Sequence, residues 1–397
     1  MSPSRVSSPR VLVVHNRYLH RGGEDVVVDA EVALLREHGH EVVLFERGSD
    51  QLSRFPPGMA MQLLWNSQVA GELRQAIDDF GPDIVHVHNT FPFISPAAYS
   101  AVKDRPVVQT LHNFRLMCLN ALFLRDGKAC EDCMGHLPWR GVARACYRDS
   151  RPASAALAAM LALHRGLGTY GTKVSRYIAL NEFCRGKFIA GGLPAERIVI
   201  KPNFVDARQP AQGFRSGLLF VGRLSAEKGI HVLAGALGLA AVKLRVAGEG
   251  PEGETLRGVE GATLLGALPA ESVRTEMEGA VALVLPSICY ENFPRTIVEA
   301  FSSGLPVIAS RIGALAEIVT EGRTGLLFEA GNPADLAAKM AWALAHPGEM
   351  AEMGRQARVQ YEREFTPEVN YGRLMEIYRG ALAECGRAPR AGVEPGA

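Results

Sequence analysis

The stretch VALVLPS at residues 281–287, followed by YENFPRTIVEAFSSGLPVIAS at residues 290–310, reads as a buried strand passing through a loop into a helix and on into a second strand. VALVLPS is a near-continuous apolar run of the length a parallel-sheet strand needs when both faces are covered. Pro294 lacks the N–H that a helix interior requires but suits a first turn, so the helix starts near Pro294, with Ile297, Ala300 and Phe301 as its inward stripe. Gly304 and Pro306 stop it. The stretch also sets two carboxylates, Glu291 and Glu299, eight residues apart. Were the whole span helical, their Cα atoms would stand about 12 Å apart at 1.5 Å per residue. That is too far for a retaining-hydrolase pair, whose carboxyl groups sit roughly 5 Å apart. The glutamates therefore read as holding different parts of one long ligand against the free N–H groups of the helix N-terminus, the alternative being that Glu299 is a solvated helix residue.

The same grammar runs through the rest of the chain. RVLVVHN, EVVLFER, IVHVHN, PVVQTLHN, RYIALN and RIVIKPN alternate with helical runs such as GGEDVVVDAEVALLREHG. LLFVGRL, KLRVAGE, ATLLGAL, VALVLPS, PVIASR and GLLFEA repeat the pattern. Each set predicts a doubly wound parallel sheet, an α/β fold of two Rossmann-like domains, and 397 residues suffice for two cores. The Pro-, Gly- and polar-rich KPNFVDARQPAQG, residues 201–213, reads as the linker, giving domains at 10–205 and 206–366. A helical stretch, 367–385, follows the completed second sheet. Residues 1–9 and 386–397 have no apolar periodicity and are expected to be disordered.

Hydrophobic content of 47% is ordinary for a globular protein, and a net charge of +1 argues against a general nucleic-acid-binding surface. The VLVV run is too short for a signal peptide or a membrane span, so a cytoplasmic location is expected. In that compartment the seven cysteines are not read as disulfides. Four of them, Cys118, Cys130, Cys133 and Cys146, crowd into one segment. The Cys-x-x-Cys pair lets two thiolates reach one ion, and the other two could complete a tetrahedral structural Zn²⁺ site. A labile iron–sulfur cluster and four reduced thiols are the other readings. Between Pro138 and Lys187, Arg140, Arg144, Arg148, Arg151, Arg165, Lys173, Arg176, Arg185 and Lys187 face only Asp149 and Glu182. The alanine-rich ASAALAAMLALHRGLG run within this excess is either a core helix or part of a surface that docks peripherally on anionic lipid at the inner face of the membrane.

Several strand ends carry candidate ligand groups. Gly22 and Gly23, between the first strand and helix, let a phosphate approach the chain, or make a tight turn. Glu24 and Asp25 would repel a diphosphate and so read as facing an acceptor. In IVHVHN, His86 lies mid-strand and reads as structural, whereas His88 at the C-terminal end is an acceptor-side candidate. His112 ends the PVVQTLHN strand. Arg223 and Lys228 in FVGRLSAEKGI place two cations at a strand-to-helix junction where a diphosphate could bind, or they are solvated. AGEGPEG, residues 247–253, matches Gly-x-Gly-x-x-Gly with Glu271 downstream, a dinucleotide-binding alternative weakened by Pro251. The chain has no Asp-x-Asp triplet, so no catalytic metal is expected.

The Glu291-x7-Glu299 stretch resembles the signature of retaining GT-B glycosyltransferases of family 4, the glycosyl transferases group 1. The resemblance covers most of the chain and implies two domains facing a cleft, with the last helix crossing back to the first. It implies a donor bound with its diphosphate on Arg223 and Lys228, near Gly22 and Gly23. The ribose would lie on Glu299, the base beside Glu249, Gly266 and Leu268, and the sugar between Glu291 and His112, with Phe293 a further donor-side residue. Glu291 and His112 are the catalytic expectations. Pro294 stands where many members carry Gly and offers no N–H to a ligand. The implied activity is transfer of a sugar, with retention, from a nucleotide diphosphate sugar to a hydroxyl acceptor in polysaccharide, lipopolysaccharide or glycolipid synthesis, the acceptor in some cases lipid-linked. The alternatives are a GT-B sugar-nucleotide epimerase and a non-catalytic sugar-nucleotide sensor.

Overall fold

A computed structural model describes residues 8–19, 22–48, 59–206 and 213–386. In the first domain, strands β1 (Val11–Asn16), β2 (Val42–Arg47), β3 (Ile84–Asn89), β4 (Val107–Thr110), β7 (Arg176–Ala179) and β8 (Ile198–Ile200) form a parallel sheet in the order β2-β1-β3-β4-β7-β8. A small antiparallel hairpin, β5 (Leu124–Arg125) and β6 (Lys128–Ala129), stands apart. The second sheet has the order β11-β10-β9-β12-β13-β14, from β9 (Leu218–Val221), β10 (Leu244–Ala247), β11 (Ala262–Gly266), β12 (Ala282–Leu285), β13 (Val307–Ser310) and β14 (Gly325–Phe328). In both sheets the strand order reverses beside the first strand of the domain, and such switch points open ligand crevices at the carboxyl ends of the strands. In the second sheet that crevice lies between β9 and β12.

The all-buried strands explain the continuous apolar runs, since helices cover both faces. The helix Arg295–Ser302 begins where expected, with Pro294 as N-cap and Ile297, Ala300 and Phe301 fully buried. The helix Pro367–Glu384 returns to the first domain, packing Leu374, Ile377, Tyr378, Ala381 and Leu382 against Val11, Val13, Val28 and Val32. Residues 201–205, expected to open a solvated linker, are instead buried. Lys201 is 1% exposed because its ammonium is held inside the first domain. Residues 207–212 of the linker, and the termini 1–7 and 387–397, lie outside the described residues.

Lys201 Nζ lies 2.8 Å from Glu31 Oε2, on the helix Gly23–Glu37, and 3.1 Å from Asn370 Oδ1, on the returning helix. Glu31 Oε1 lies 3.1 Å from His86 Nδ1 and 3.3 Å from His88 Nε2. His86 also bonds Tyr378 Oη at 2.7 Å and Thr110 Oγ1 at 2.9 Å. Burial opposes the charge on Glu31, but Lys201 and then His86 hold its carboxyl well below the usual range. His86 is the structural residue expected from its mid-strand place. Breaking a buried pair strands a charge, so Lys201→Ala should cost about 3–5 kcal/mol. The double variant Glu31→Gln/Lys201→Met should recover a large part of that loss. Urea denaturation checks both, and a Lys201→Ala loss below about 1 kcal/mol would show that the pair does not anchor the domain.

The buried histidines also set the acid limit. Burial lowers His15 to about 4 despite its bond to Asp25, and lowers His86 well below its ordinary value. Between pH 6.5 and about 4 the unfolded chain binds protons at His15 that the folded chain refuses. This stability is therefore complete above the unfolded pKa and is lost as pH falls, by about 1.4 kcal/mol per pH unit for each such histidine. The melting temperature should drop steadily across that window. A flat profile would mean that these rings charge freely in the fold.

Candidate active site

Lys228 sits at the end of the turn that follows β9. It reaches this position because Gly229, at φ +73°, adopts a left-handed conformation, and a Cβ there would meet the Pro286 carbonyl oxygen at 1.8 Å. The turn after β9 thus lies directly against the end of β12. Lys228 Nζ contacts Glu291 Oε1 at 2.5 Å, and Ser287 Oγ donates to the same oxygen at 2.7 Å. Burial disfavours both charges, yet each holds the other: Glu291 raises the Lys228 pKa, and Lys228 with Ser287 lowers that of Glu291. The two residues expected on diphosphate and sugar are therefore joined. Arg223, at the end of β9, is exposed, and among the described residues no ion pair holds it. Glu299 pairs with Arg295 at 3.2 Å on the outer face of its helix.

Glu249 Oε1 accepts from Ala267 N–H at 3.3 Å, and Gly266 adjoins it at φ +69° with Leu268 half-buried beyond, so the expected base-pocket residues come together. The Gly-x-Gly-x-x-Gly match has a packing explanation. A Cβ on Gly250 would strike the Leu224 carbonyl oxygen at 2.2 Å, and Glu271 is spent on an exposed pair with Arg274. Gly23 differs, because a Cβ there meets nothing within 4 Å. Protein packing does not call for glycine at that position, and the space above it is open.

Across the cleft, His112 Nε2 lies 2.8 Å from His88 Nδ1. Burial and the neighbouring His88 keep the His112 ring neutral, well below its ordinary pKa. His88 was expected to face an acceptor. The structure buries it to 4% exposure between Glu31 and His112. Asn113 Nδ2 reaches Glu24 Oε2 at 3.4 Å, and Tyr18 Oη donates to that oxygen at 2.8 Å. Burial pushes the Glu24 carboxyl up to about 8, and its Oε1 has no partner among the described residues. Asp25 turns inward, bonding His15 at 2.8 Å and the Gly22 N–H at 2.9 Å.

One loop ties the two halves together beside His112. Asn292 Nδ2 donates to the Leu111 carbonyl, next to His112, at 3.2 Å, and Asn181 Nδ2 donates to the Asn292 carbonyl at 2.6 Å. Glu291 and His112 are thereby neighbours across the domains. Tyr290 Oη donates to Glu131 at 2.8 Å on the same border. The Phe293 ring lies 6.1 Å from that of Phe365. A cavity of about 630 Å³ between Phe214 and the helix Pro347–Glu364 shares none of these residues. The helix Arg151–Gly166 buries Leu157, Met160 and Leu161, the core side of the two readings given for it. Among the described residues no helix is long and apolar enough to cross a membrane.

Sequence reasoning missed Glu31, Lys201, Asn181 and Asn292. Glu31 alone left a signal, a carboxylate on the inward stripe Val27, Val28, Glu31, Val32, Leu35.

Known proteins share this architecture. Residues 21–209 match the family described as Glycosyltransferase Family 4, and residues 215–346 match Glycosyl transferases group 1. The chain is 38% identical over 111 residues to a GDP-mannose-dependent alpha-mannosyltransferase of Corynebacterium glutamicum, spanning 28% of this chain and 27% of that one. The first curated relatives are matched over about a quarter to a half of their own length. Among solved structures, sucrose-phosphate synthase from Thermosynechococcus elongatus superposes with a TM-score of 0.71 at 17% identity, covering 95% of this chain and 100% of that one. HepE of Anabaena in complex with UDP gives 0.64 at 18% identity, over 92% and 98%. With two family matches laid end to end over two facing parallel-sheet domains, the chain belongs to the GT-B glycosyltransferases of the Family 4 and group 1 type.

Proposed function

We propose that this protein transfers a sugar from a nucleotide diphosphate sugar to a hydroxyl acceptor with retention at the anomeric carbon. The observation that carries the reading is the Lys228–Glu291 pair at the β9/β12 crevice, tied by Asn292 to the backbone beside His112. A diphosphate arriving at Arg223 and at the turn before Gly229 offers Lys228 a doubly charged partner. Lys228 moves to it, and Glu291 is released toward the hydroxyls of the sugar. The relatives bind different bases, GDP-mannose in one name and UDP in one complex, so the donor is proposed only as a class.

In this reading the bond from the anomeric carbon to the diphosphate oxygen breaks. The acceptor oxygen forms its bond on the same face, and its proton passes to the departing diphosphate. Arg223 and Lys228 stabilise that leaving group by charge, and no metal is assigned a part. Neutral His112 orients a sugar hydroxyl, while its backbone carbonyl faces the positive charge that develops on the ring. Glu299 takes the ribose hydroxyls, exchanging its Arg295 contact for them. Glu24, whose carboxyl titrates near neutral pH beside Asn113, lies on the acceptor side.

A peripheral membrane contact belongs to the same proposal. Leu137 and Trp139 are 59% and 64% exposed, and Arg140, Arg144 and Arg148 close by in sequence are exposed as well, with Arg144 paired to Asp132. Trp139→Ala should weaken co-sedimentation with vesicles containing phosphatidylserine several-fold, with little binding to purely zwitterionic vesicles in either protein. Equal binding to both kinds would refute the charge-based contact.

The central test begins with a thermal-shift screen of nucleoside diphosphates and their sugars, which identifies the donor. Lys228→Ala and Glu299→Ala should each lose about tenfold or more in donor affinity, the worth of a charge-assisted contact of roughly 1.5–3 kcal/mol. His112→Ala should lower turnover more than affinity. Free nucleoside diphosphate should appear only when acceptor is supplied, which separates a transferase from an epimerase and from a sensor. Unchanged donor affinity in both charge variants would remove the site assignment.

A further inference from the structure

We propose that Cys118, Cys130, Cys133 and Cys146 together bind one Zn²⁺ as a structural tetrathiolate site. All four line one small cavity beneath the β5–β6 hairpin, together with Arg125 and Arg144. The hairpin turns on Asp126 and Gly127, both at positive φ, and delivers the chain directly to Cys130, whose N–H bonds the Phe123 carbonyl at 2.7 Å. A hairpin leading into a Cys-x-x-Cys turn sets two sulfurs on one side of the cavity. Cys118 and Cys146, from the segments before and after, close the other side.

Two further observations point to a ligand rather than to four separate thiols. Four thiolates around one Zn²⁺ carry a net charge of −2, and two guanidiniums line the same cavity, Arg125 paired with Asp126 and Arg144 with Asp132. Finally, the seven non-glycine residues at positive φ are concentrated here, with Ala121, Phe123, Asp126, Ala145, Arg148 and Asp149 between residues 118 and 149 and only Ser95 elsewhere among the described residues. Such backbone persists where something else over-determines it. No three of the four sulfurs lie within 4.8 Å of one another, whereas Zn–S bonds of about 2.3 Å put tetrahedral sulfurs roughly 3.8 Å apart. Binding therefore draws the thiols inward and releases their protons.

Among the described residues the one group of potential ligands within that distance, Glu31, His86 and His88, is a poor competitor. The Lys201 ammonium already occupies Glu31 at 2.8 Å and would repel a cation. The Cys130-to-Cys133 turn carries Glu131, which accepts from Tyr290 Oη at 2.8 Å and pairs with Lys187 at 2.5 Å. A metal that fixes this turn fixes the first-domain end of a contact next to Glu291.

Full-length protein purified without an affinity tag should contain about one zinc per chain by elemental analysis. Titration with an organomercurial should release that zinc as the thiols react. Cys133→Ser and Cys118→Ser should each lose the metal and expose Lys128 in the hairpin to rapid trypsin cleavage. Binding of nucleoside diphosphate, which rests on the second domain under the proposed function, should survive in both. Because the metal content of the wild type is read independently of any variant, a failure of the serine forms to fold does not shelter the idea. Absence of zinc and iron, iron with acid-labile sulfide in place of zinc, or zinc retained in both serine variants would each overturn it.

Discussion

Lys201 and Glu31 form a charge pair almost wholly removed from water, with side chains 1% and 2% exposed. Taking both charges out of water is expensive, and the cost is offset only where each remaining polar atom finds a partner. Here Asn370 from the returning helix holds the ammonium, and the second carboxylate oxygen lies beside His86 and His88 from β3 without a hydrogen bond among the described residues, while His86 bonds the hydroxyls of Thr110 and Tyr378. The pair is thus a point where the first helix, two central strands and the final helix are fixed to one another. Its reach extends to the cleft. His88 touches Glu31 on one side and His112 on the other, so the ring at the cleft takes its position from a charge pair in the core.

The second domain meets this scaffold through Tyr290, Glu291 and Asn292, three consecutive residues with three different tasks. Tyr290 and Asn292 bond the first domain, while Glu291 turns back to Lys228 in its own domain. A side chain placed between two cross-domain anchors cannot move independently of the cleft. Glu317 adds a further tie, accepting from the N–H groups of Glu182 and Phe183 at 2.8 and 2.7 Å at the start of the helix Glu182–Ala190. That contact sets a carboxylate on the positive end of a helix, where it is favoured.

The division of the chain into two parallel sheets was legible because buried parallel strands write themselves as apolar runs, and all twelve such runs became strands. The helix at Pro294 was legible for a local reason, the missing N–H. What escaped were contacts whose partners are far apart in sequence. Lys201 sat in a segment rich in Pro and Gly and was read as linker, because nothing near it in sequence announces a carboxylate 170 residues earlier. His88 was read as ligand-facing from its place at a strand end. That place was correct, but the side chain is covered by His112, and coverage depends on the neighbouring strand rather than on β3 itself. Glycine was ambiguous for a similar reason. Gly23 and Gly250 look alike in sequence, yet one borders open space and the other is pressed against a backbone carbonyl.

The pairing of Lys228 with Glu291, and of Arg295 with Glu299, bears on how such a cleft holds a highly charged ligand without an excess of fixed charge of its own. An unpaired, part-buried ammonium would lose hydration without compensation, and its pKa would fall under the same burial that now opposes its charge. Glu291 prevents that and keeps the cation charged while the cleft is free of ligand. Under the proposed function, exchange of the carboxylate for a diphosphate then replaces one anion with another, so the net desolvation of Lys228 changes little. The released carboxylate needs donors in turn, and Ser287 at 2.7 Å satisfies only part of its capacity. A ligand that brings both an anion for Lys228 and hydroxyl donors for Glu291 satisfies both ends of the broken pair at once. One that brings the anion alone leaves a part-buried carboxylate under-satisfied. Under the proposed function the pair favours an intact nucleotide sugar over the nucleotide by the cost of that orphaned carboxylate, a discrimination that neither residue could provide separately.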